Sequence, residues 1–131
     1  MKKTIWLVDD DEEMLRAVNL MLQMLDFETR FFLRARPAAK ALLAGGKPDV
    51  LLLDINMPEV SGLDMLEFVR LRTELNNLPV IMLSTEAADV TVDKAMSLGA
   101  DGYVTKPVMI DELGAEISQA MKKKKRIKYI A

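Results

Sequence analysis

The 131-residue chain contains no cysteine and no histidine. Without cysteine it cannot form a disulfide framework or a thiolate metal site, and without histidine it has no imidazole base or ligand. Serine–histidine hydrolysis, cysteine–histidine proteolysis and haem ligation through histidine are therefore excluded. Any chemistry must use carboxylates, hydroxyls, lysine or arginine.

Long apolar runs are also missing. Unbroken aliphatic stretches such as Val50–Leu53 are far too short to span a bilayer. The N-terminal apolar run stops at Asp9 and is too short for the apolar region of a secretory signal. The length fits one domain, and no linker rich in proline, glycine and serine divides the chain. We therefore expect a cytoplasmic protein without membrane contacts.

Charge is unevenly distributed along the chain. Residues 122–128 hold six of the 18 basic residues and no acid, whereas all 20 acidic residues lie within residues 1–121. We divide the chain into a domain over residues 1–121 and a basic tail over residues 122–131 that continues the last helix. The acidic domain argues against nucleic-acid binding. For the tail, a solvated helix end or the start of a linker is the favoured interpretation, and a patch for nucleic acid or acidic membranes is the alternative.

Five strand-like segments alternate with five helical patterns. The apolar runs cover residues 5–8, 29–33, 50–53, 80–83 and 102–104, and amphipathic periodicity follows each of them, over about 12–25, 37–44, 62–73, 87–98 and from 110 onwards. Strands that each precede a helix, with short connections, indicate an α/β fold with a parallel sheet and helices on both faces. The pattern does not fix the order of the strands.

Polar residues stand at the end of four of these runs. They are Asp9 and Asp10 after the first strand, Asp54 after the third, Ser84 and Thr85 after the fourth, and Thr105 and Lys106 after the fifth. Ligands of open α/β sheets bind beyond the carboxyl ends of the strands. The sequence therefore predicts that three carboxylates, a hydroxyl and an ammonium group converge at one edge of the sheet.

The converging groups suit phosphoryl transfer with a divalent metal ion. Clustered carboxylates repel one another, and Mg²⁺ resolves this repulsion because it prefers oxygen ligands. A metal, a lysine and a hydroxyl can neutralise phosphoryl oxygens while a carboxylate attacks phosphorus. The competing interpretation is that each aspartate only caps a turn, which is the commoner case for one aspartate alone. For all the strand-end groups together, the site is favoured.

Four segments resemble the receiver domain of bacterial response regulators, in particular the single-domain chemotaxis type. The matching segments are residues 7–10 (Leu-Val-Asp-Asp), 54–58 (Asp-Ile-Asn-Met-Pro) with Gly62 following, 78–84 (Leu-Pro-Val-Ile-Met-Leu-Ser) and 99–107 (Gly-Ala-Asp-Gly-Tyr-Val-Thr-Lys-Pro). The resemblance as a whole extends from residue 5 to about residue 121. The resemblance implies a doubly wound, flavodoxin-like receiver with the strand order 2-1-3-4-5.

The resemblance also implies roles for individual residues. Asp54 matches the phosphoacceptor, Asp10 a direct Mg²⁺ ligand, and Asp9 its neighbour, which acts through water. Asn56 matches the position whose backbone carbonyl coordinates the metal. Lys106 matches the lysine that pairs with the phosphoryl group, through a cis peptide bond to Pro107.

The implied switch consists of Ser84, which turns towards the phosphoryl group, and the aromatic Tyr103, which moves inward with it. Asn56 and Glu86 match variable positions that tune the lifetime of the phosphorylated state. Thr85 replaces the alanine or glycine that the family prefers, and its bulk is expected to restrict access to Asp54.

The resemblance implies partners as well as a site. A histidine kinase or a phosphotransfer protein, or a small-molecule donor, would supply the phosphoryl group. An output partner of unknown identity would bind the face formed by the fourth helix, the fifth strand and the fifth helix. Small apolar residues of the fourth helix suit docking or weak dimerisation: Ala87, Ala88, Val90, Ala95 and Leu98. The protein would be a monomer or a weak homodimer, and would catalyse only its own phosphorylation and dephosphorylation.

Three alternatives stay open at this point. A Mg²⁺-dependent phosphatase with an aspartyl-phosphate intermediate would place its nucleophile at Asp9 and a second acid at Asp11. A degenerate receiver would bind its partner without phosphorylation, although the key residues are present. The chain could also be a receiver from a longer regulator or a hybrid kinase.

Overall fold

The computed structural model describes the backbone of residues 1–130 and the side chains of residues 1–123. Five strands alternate with five helices. In chain order they are β1 (Thr4–Val8), α1 (Glu12–Met24), β2 (Glu28–Phe32), α2 (Ala35–Leu43), β3 (Val50–Asp54), α3 (Gly62–Leu71), β4 (Val80–Ser84), α4 (Asp89–Ser97), β5 (Gly102–Thr105) and α5 (Ile110–Ile130).

The strands form one parallel sheet in the order β2-β1-β3-β4-β5. Leu53 of β3 pairs with Val8 of β1 on one side and with Met82 of β4 on the other. Helices cover both faces, which confirms the predicted doubly wound, flavodoxin-like class. The strand order agrees with the order that the family resemblance implied.

Two hydrophobic cores lie on opposite faces of the sheet. One packs strand residues such as Trp6 and Met82 against α2, α3 and α4, and the other packs Leu7 and Leu52 against α1 and α5. Every residue of β3 and β4 is buried, as expected for central strands that are covered on both faces. A polar side chain of β3 or β4 can therefore reach solvent or a ligand only at the end of its strand.

Some helix ends carry a side-chain cap or a glycine that ends the helix. The carboxylate of Asp11 accepts hydrogen bonds from the N–H groups of Glu13 and Met14 and caps α1. Gly45 and Gly99 follow the ends of α2 and α4 with φ of 103° and 107°, a left-handed conformation that glycine adopts without steric cost.

Three expectations about helices were inaccurate. The second helix begins at Ala35 rather than at Pro37; a proline in the first turn is compatible with a helix because N–H groups there have no partner within the helix. The fourth helix begins at Asp89 rather than at residue 87. Ala95, expected on the docking surface of this helix, is fully buried in the core, whereas Val90 is 80% exposed.

The last helix extends from Ile110 to Ile130. Lys122 and Lys123 are exposed, and the side chains of residues 124–131, most of the predicted basic tail, lie outside the described residues. The division at residue 121 and the role of the tail therefore stay predictions. Among the described residues, no helix is both long enough and apolar enough to cross a membrane.

Candidate functional site

Four predicted site residues meet at the carboxyl edge of the sheet. Asp9 directly follows β1, Asp54 ends β3, Ser84 ends β4, and Lys106 directly follows β5. Asp9 and Ser84 have no exposed surface and Asp54 is 3% exposed. Buried polar groups need partners, because a polar or charged group that leaves water without one destabilises the fold.

Lys106 bridges the two buried carboxylates. Its Nζ donates a hydrogen bond to Asp54 Oδ1 at 3.1 Å and lies 2.9 Å from Asp9 Oδ2. The second contact is an ion pair without hydrogen-bond geometry, because Asp9 Oδ2 accepts no hydrogen bond. The other oxygen, Asp9 Oδ1, accepts the backbone N–H of Asp11 at 3.0 Å.

Burial and neighbouring charges shift the pKa values of Asp54 and Lys106 in the site. Burial and the charge of Asp9 raise the pKa of Asp54 to about 6, although Lys106 acts to lower it. Burial acts to lower the pKa of Lys106, but its contacts with Asp9 and Asp54 outweigh this effect and raise it. Lys106 is therefore a stable cation at neutral pH, while Asp54 changes protonation around pH 6.

Three carboxylates fit a divalent cation. Asp9, Asp10 and Asp54 each offer an oxygen, and these oxygens lie within 4.8 Å of one another. Asp9 Oδ2 is buried and accepts no hydrogen bond, so that it has a lone pair to offer. Asp10 is exposed, which leaves one side of the cluster open to water. Oxygen ligands with room for water are the arrangement that Mg²⁺ prefers.

Gly62 keeps the backbone next to Asp54 in place. Its N–H donates to the carbonyl of Ile55 at 2.8 Å. A Cβ on Gly62 would overlap the carbonyl oxygen of Asp54, so that the start of α3 can approach the end of β3 only with glycine at this position. Ser61, whose hydroxyl accepts the N–H of Asp64, caps the same helix.

Ser84 and Tyr103 are connected through the backbone of Glu86. Ser84 Oγ accepts the Glu86 N–H at 3.0 Å, and the Tyr103 hydroxyl donates to the Glu86 carbonyl at 2.7 Å. Tyr103 is half-buried and packs against the core that includes Met82. Both residues that sequence analysis assigned to a switch therefore contact the same loop residue.

The remaining predicted residues lie at the periphery of the site. Asn56 and Thr85 are exposed, in the loops that follow β3 and β4. Glu86 is exposed too, and its carboxylate accepts a hydrogen bond from Thr91 at 2.9 Å. Sequence analysis missed Thr91, because no motif or spacing signals a hydrogen bond from α4 to the preceding loop.

Arg70 forms a second polar cluster, at the amino ends of β4 and β5. Its guanidinium lies 2.8 Å from Asp101 Oδ2 and donates to the carbonyls of Leu78 and Gly99, both at 2.8 Å. Asp101 Oδ2 also accepts the N–H of Val80 at 2.9 Å. This cluster lies at the edge opposite the carboxylates and supports the fold rather than the site.

Comparison with known proteins gives one consistent family. The sequence profile described as "Response regulator receiver domain" matches residues 5–118. The chain is 34% identical over 115 residues to the chemotaxis protein CheY of Pseudomonas aeruginosa, covering 88% of this chain and 93% of that relative. It is 33% identical over 129 residues to the regulatory protein AtoC of Escherichia coli, covering 96% of this chain and 27% of AtoC. The chain thus spans about a quarter of the length of AtoC.

A solved structure agrees with the sequence comparisons. The high-resolution structure of the Vibrio cholerae chemotaxis protein CheY4 superimposes with a TM-score of 0.82 at 26% sequence identity, over 92% of this chain and 99% of that one. The similarity in fold therefore extends over nearly the whole chain.

Proposed function

The chain belongs to the response regulator receiver domain family, and on that premise we propose that it accepts a phosphoryl group on Asp54 and acts as a signalling switch. The observation that carries the proposal is the position of Lys106 Nζ, 3.1 Å from Asp54 Oδ1 and 2.9 Å from Asp9 Oδ2. This position places a fixed positive charge beside the oxygen that would attack phosphorus.

The proposed reaction is an in-line displacement. A carboxylate oxygen of Asp54 forms a bond to phosphorus, while the bond from phosphorus to a histidine nitrogen of the donor, or to the acyl oxygen of acetyl phosphate, breaks with its electron pair. The reaction leaves a mixed anhydride on Asp54. Lys106 can follow the phosphoryl oxygens because its long side chain pairs as a flexible point charge.

Mg²⁺ is the proposed cofactor. Asp9, Asp10, Asp54 and the backbone carbonyl of Asn56 would hold it, and the buried, hydrogen-bond-free Asp9 Oδ2 supports this assignment. When bound, the ion would neutralise charge on the phosphoryl oxygens during transfer. The residues themselves contribute as well, since Asp9 and Asp54 are buried and little bulk water surrounds their carboxylates.

Ser84 and Tyr103 are the proposed switch residues. A phosphoryl group on Asp54 would offer oxygens to the Ser84 hydroxyl, which accepts the Glu86 N–H in this structure. A change at Ser84 would reach Tyr103 through Glu86, whose carbonyl accepts the tyrosine hydroxyl. The surface of α4, β5 and α5 would then change for an output partner. Lifetime tuning by Asn56, Thr85 and Glu86 belongs to the same proposal.

We further propose a histidine kinase or a phosphotransfer protein as the donor. The domain would be catalytic only towards its own aspartate, and it would be a monomer or a weak homodimer. The activity of a longer regulator, with this chain as its receiver, is compatible with the relatives that extend well beyond the matched region.

The geometry does not favour the phosphatase alternative. That mechanism needs a second acid at Asp11, but the Asp11 carboxylate is exposed and accepts the N–H groups of Glu13 and Met14. The Asp11 carboxylate is thus engaged in capping α1.

Mass spectrometry after incubation with acetyl phosphate tests the proposal. We expect a single adduct of about 80 Da, the mass of one added phosphoryl group, that depends on Mg²⁺ and is absent in Asp54→Asn. Asp93→Asn, at an exposed position of α4, is the matched control and should retain the adduct. Absence of any adduct with acetyl phosphate and with a phosphorylated kinase domain would instead support a degenerate binding module.

A further inference from the structure

Glu86 brings a fourth carboxylate to the surroundings of the site. It is the second residue after Ser84 and lies in the loop between β4 and α4. Its Oε2 accepts a hydrogen bond from the hydroxyl of Thr91 on α4 at 2.9 Å. This bond holds the carboxylate against the first turn of α4.

The backbone of Glu86 is held independently of its side chain. Its N–H donates to Ser84 Oγ at 3.0 Å, and its carbonyl accepts the hydroxyl of Tyr103 at 2.7 Å. Because both backbone groups have partners, loss of the bond to Thr91 would release the carboxylate while the loop keeps its position. Glu86 is exposed, so that its released side chain would have room to rotate.

The direction of this carboxylate matters because the site is already rich in negative charge. Asp9, Asp10 and Asp54 face a single ammonium group, that of Lys106, among the described contacts. At roughly 7 Å in water, one additional pair of unit charges changes a rate or an affinity by about threefold. A carboxylate that rotates towards the site would repel an anionic donor and attract a divalent cation by amounts of this order.

We infer that Thr91 is a positioning residue that holds the Glu86 carboxylate on α4, away from the phosphoacceptor site, and so keeps the site open to anionic phosphoryl donors. This inference rests on the proposed function, since it assigns a regulator to the same site. It gives α4 a direct electrostatic effect on the chemistry at Asp54, in addition to its place in the proposed output surface.

Thr91→Val tests the inference, because valine keeps the shape of threonine and removes the hydroxyl. At low ionic strength and saturating Mg²⁺, we expect labelling of Asp54 by acetyl phosphate to slow by about threefold. In the absence of donor, calorimetry with Mg²⁺ alone should show an affinity about threefold higher than that of the parent. A general disturbance of the fold would weaken both properties, so that opposite signs identify the charge effect.

Three further variants distinguish an effect of the position of the Glu86 carboxylate from a general disturbance of the fold. Thr91→Ser restores a hydroxyl and should return both properties to the parent values. In a Glu86→Gln background, Thr91→Val should have no effect, because no charge is left to release. Thr73→Val, at an exposed threonine in the loop after α3, should match the parent. High salt should reduce the effects of Thr91→Val, since it screens charges at this separation.

Several outcomes would overturn the inference. Equal rates and equal Mg²⁺ affinities in the parent and Thr91→Val would do so, as would a change that persists in the Glu86→Gln background. If the parent binds Mg²⁺ but takes up no phosphoryl group, the proposed function fails while the affinities still decide the role of Thr91. If the parent neither binds Mg²⁺ nor is labelled, both ideas fail.

Discussion

Lys106 Nζ lies 2.9 Å from Asp9 Oδ2, an oxygen that water does not reach and that accepts no hydrogen bond. Among the described contacts, the lysine is the group that neutralises this buried charge. Removal of one partner of a buried ion pair costs about 3–5 kcal/mol, because an uncompensated charge stays behind. Protonation of Asp54 reduces that cost as the pH falls.

Lys106→Met should therefore lower the free energy of unfolding by about 3–5 kcal/mol near neutral pH. Without the lysine, the pKa of Asp54 should lie above about 6, so that the loss should shrink as the pH falls through that value. Urea unfolding of the parent and of Lys106→Met at about pH 8 and about pH 5 measures this loss of stability. Lys3→Met is the control, since Lys3 is exposed and lies 4.0 Å from Asp49; an equal loss in both variants would contradict the prediction.

Asp54→Asn should raise stability. Burial and Asp9 raise the pKa of Asp54 from 3.8 to about 6. The folded state binds this proton more tightly than the unfolded chain, so that stability falls as the pH rises from about 4 to about 6 and the penalty is complete above that range. Removal of the charge should add about 1–3 kcal/mol at about pH 8.

The same variant should gain little at about pH 4, where the parent carboxyl is protonated in the folded state. Denaturant unfolding at both pH values provides the comparison, with Asp93→Asn as the exposed control. A gain that is larger at low pH than at high pH would show that the carboxylate of Asp54 is not the origin of the penalty.

Much of the sheet and of the site at its edge could be predicted from the sequence, because central parallel strands have a recognisable apolar pattern. The apolar runs at Val50–Leu53 and Val80–Leu83 have no polar residue, and a polar residue that ends such a run must lie at the edge of the sheet. Asp54 and Ser84 were placed in this way, and the structure brings both to the carboxyl edge. The strand order could not be deduced from periodicity and came from the family resemblance.

Thr85→Ala should speed phosphorylation by small donors by about twofold to fivefold, if the side chain of Thr85 obstructs the approach to Asp54. Thr85 is exposed at the end of β4. Labelling rates with acetyl phosphate give the measurement. Thr85→Val keeps the bulk and should behave like the parent, which separates a steric effect from one of the hydroxyl. Equal rates for Thr85→Ala and the parent would remove the steric explanation.

Arg70→Met should destabilise the fold by about 3 kcal/mol or more, because it removes one partner of a largely buried ion pair with Asp101. The guanidinium also bonds the carbonyls of Leu78 and Gly99, so that Arg70→Lys should recover only part of the loss. Thermal and denaturant unfolding measure the loss of stability in Arg70→Met and in Arg70→Lys.

The matched control for Arg70 lies two residues further along. Arg72 pairs with Glu74 at 2.8 Å, but both side chains are largely exposed. Exposed pairs contribute about 0–1 kcal/mol, and Arg72→Met should change stability by no more than that. If both arginine variants lost the same amount, burial of the Arg70 pair would not be the cause.

Contacts between distant side chains account for what the sequence did not predict. Arg70 and Asp101 are separated by a helix and a strand, and no periodicity links them. The hydrogen bond from Thr91 to Glu86 depends on where α4 begins, and that boundary was predicted two residues too early. Side-chain direction at a helix start follows from local backbone geometry, which apolar patterns describe least well.

The pairing of Asp9 with Lys106 has a consequence for synthesis and turnover of the protein. Asp9 directly follows β1, near the start of the chain, and Lys106 directly follows β5, the last strand. A ribosome-bound or proteolysed chain that ends before Gly102 would possess every acidic residue of the site and lack the cation. If Asp54 accepts a phosphoryl group as proposed, labelling would require the last strand to be in place, and an incomplete chain would not respond to the donor.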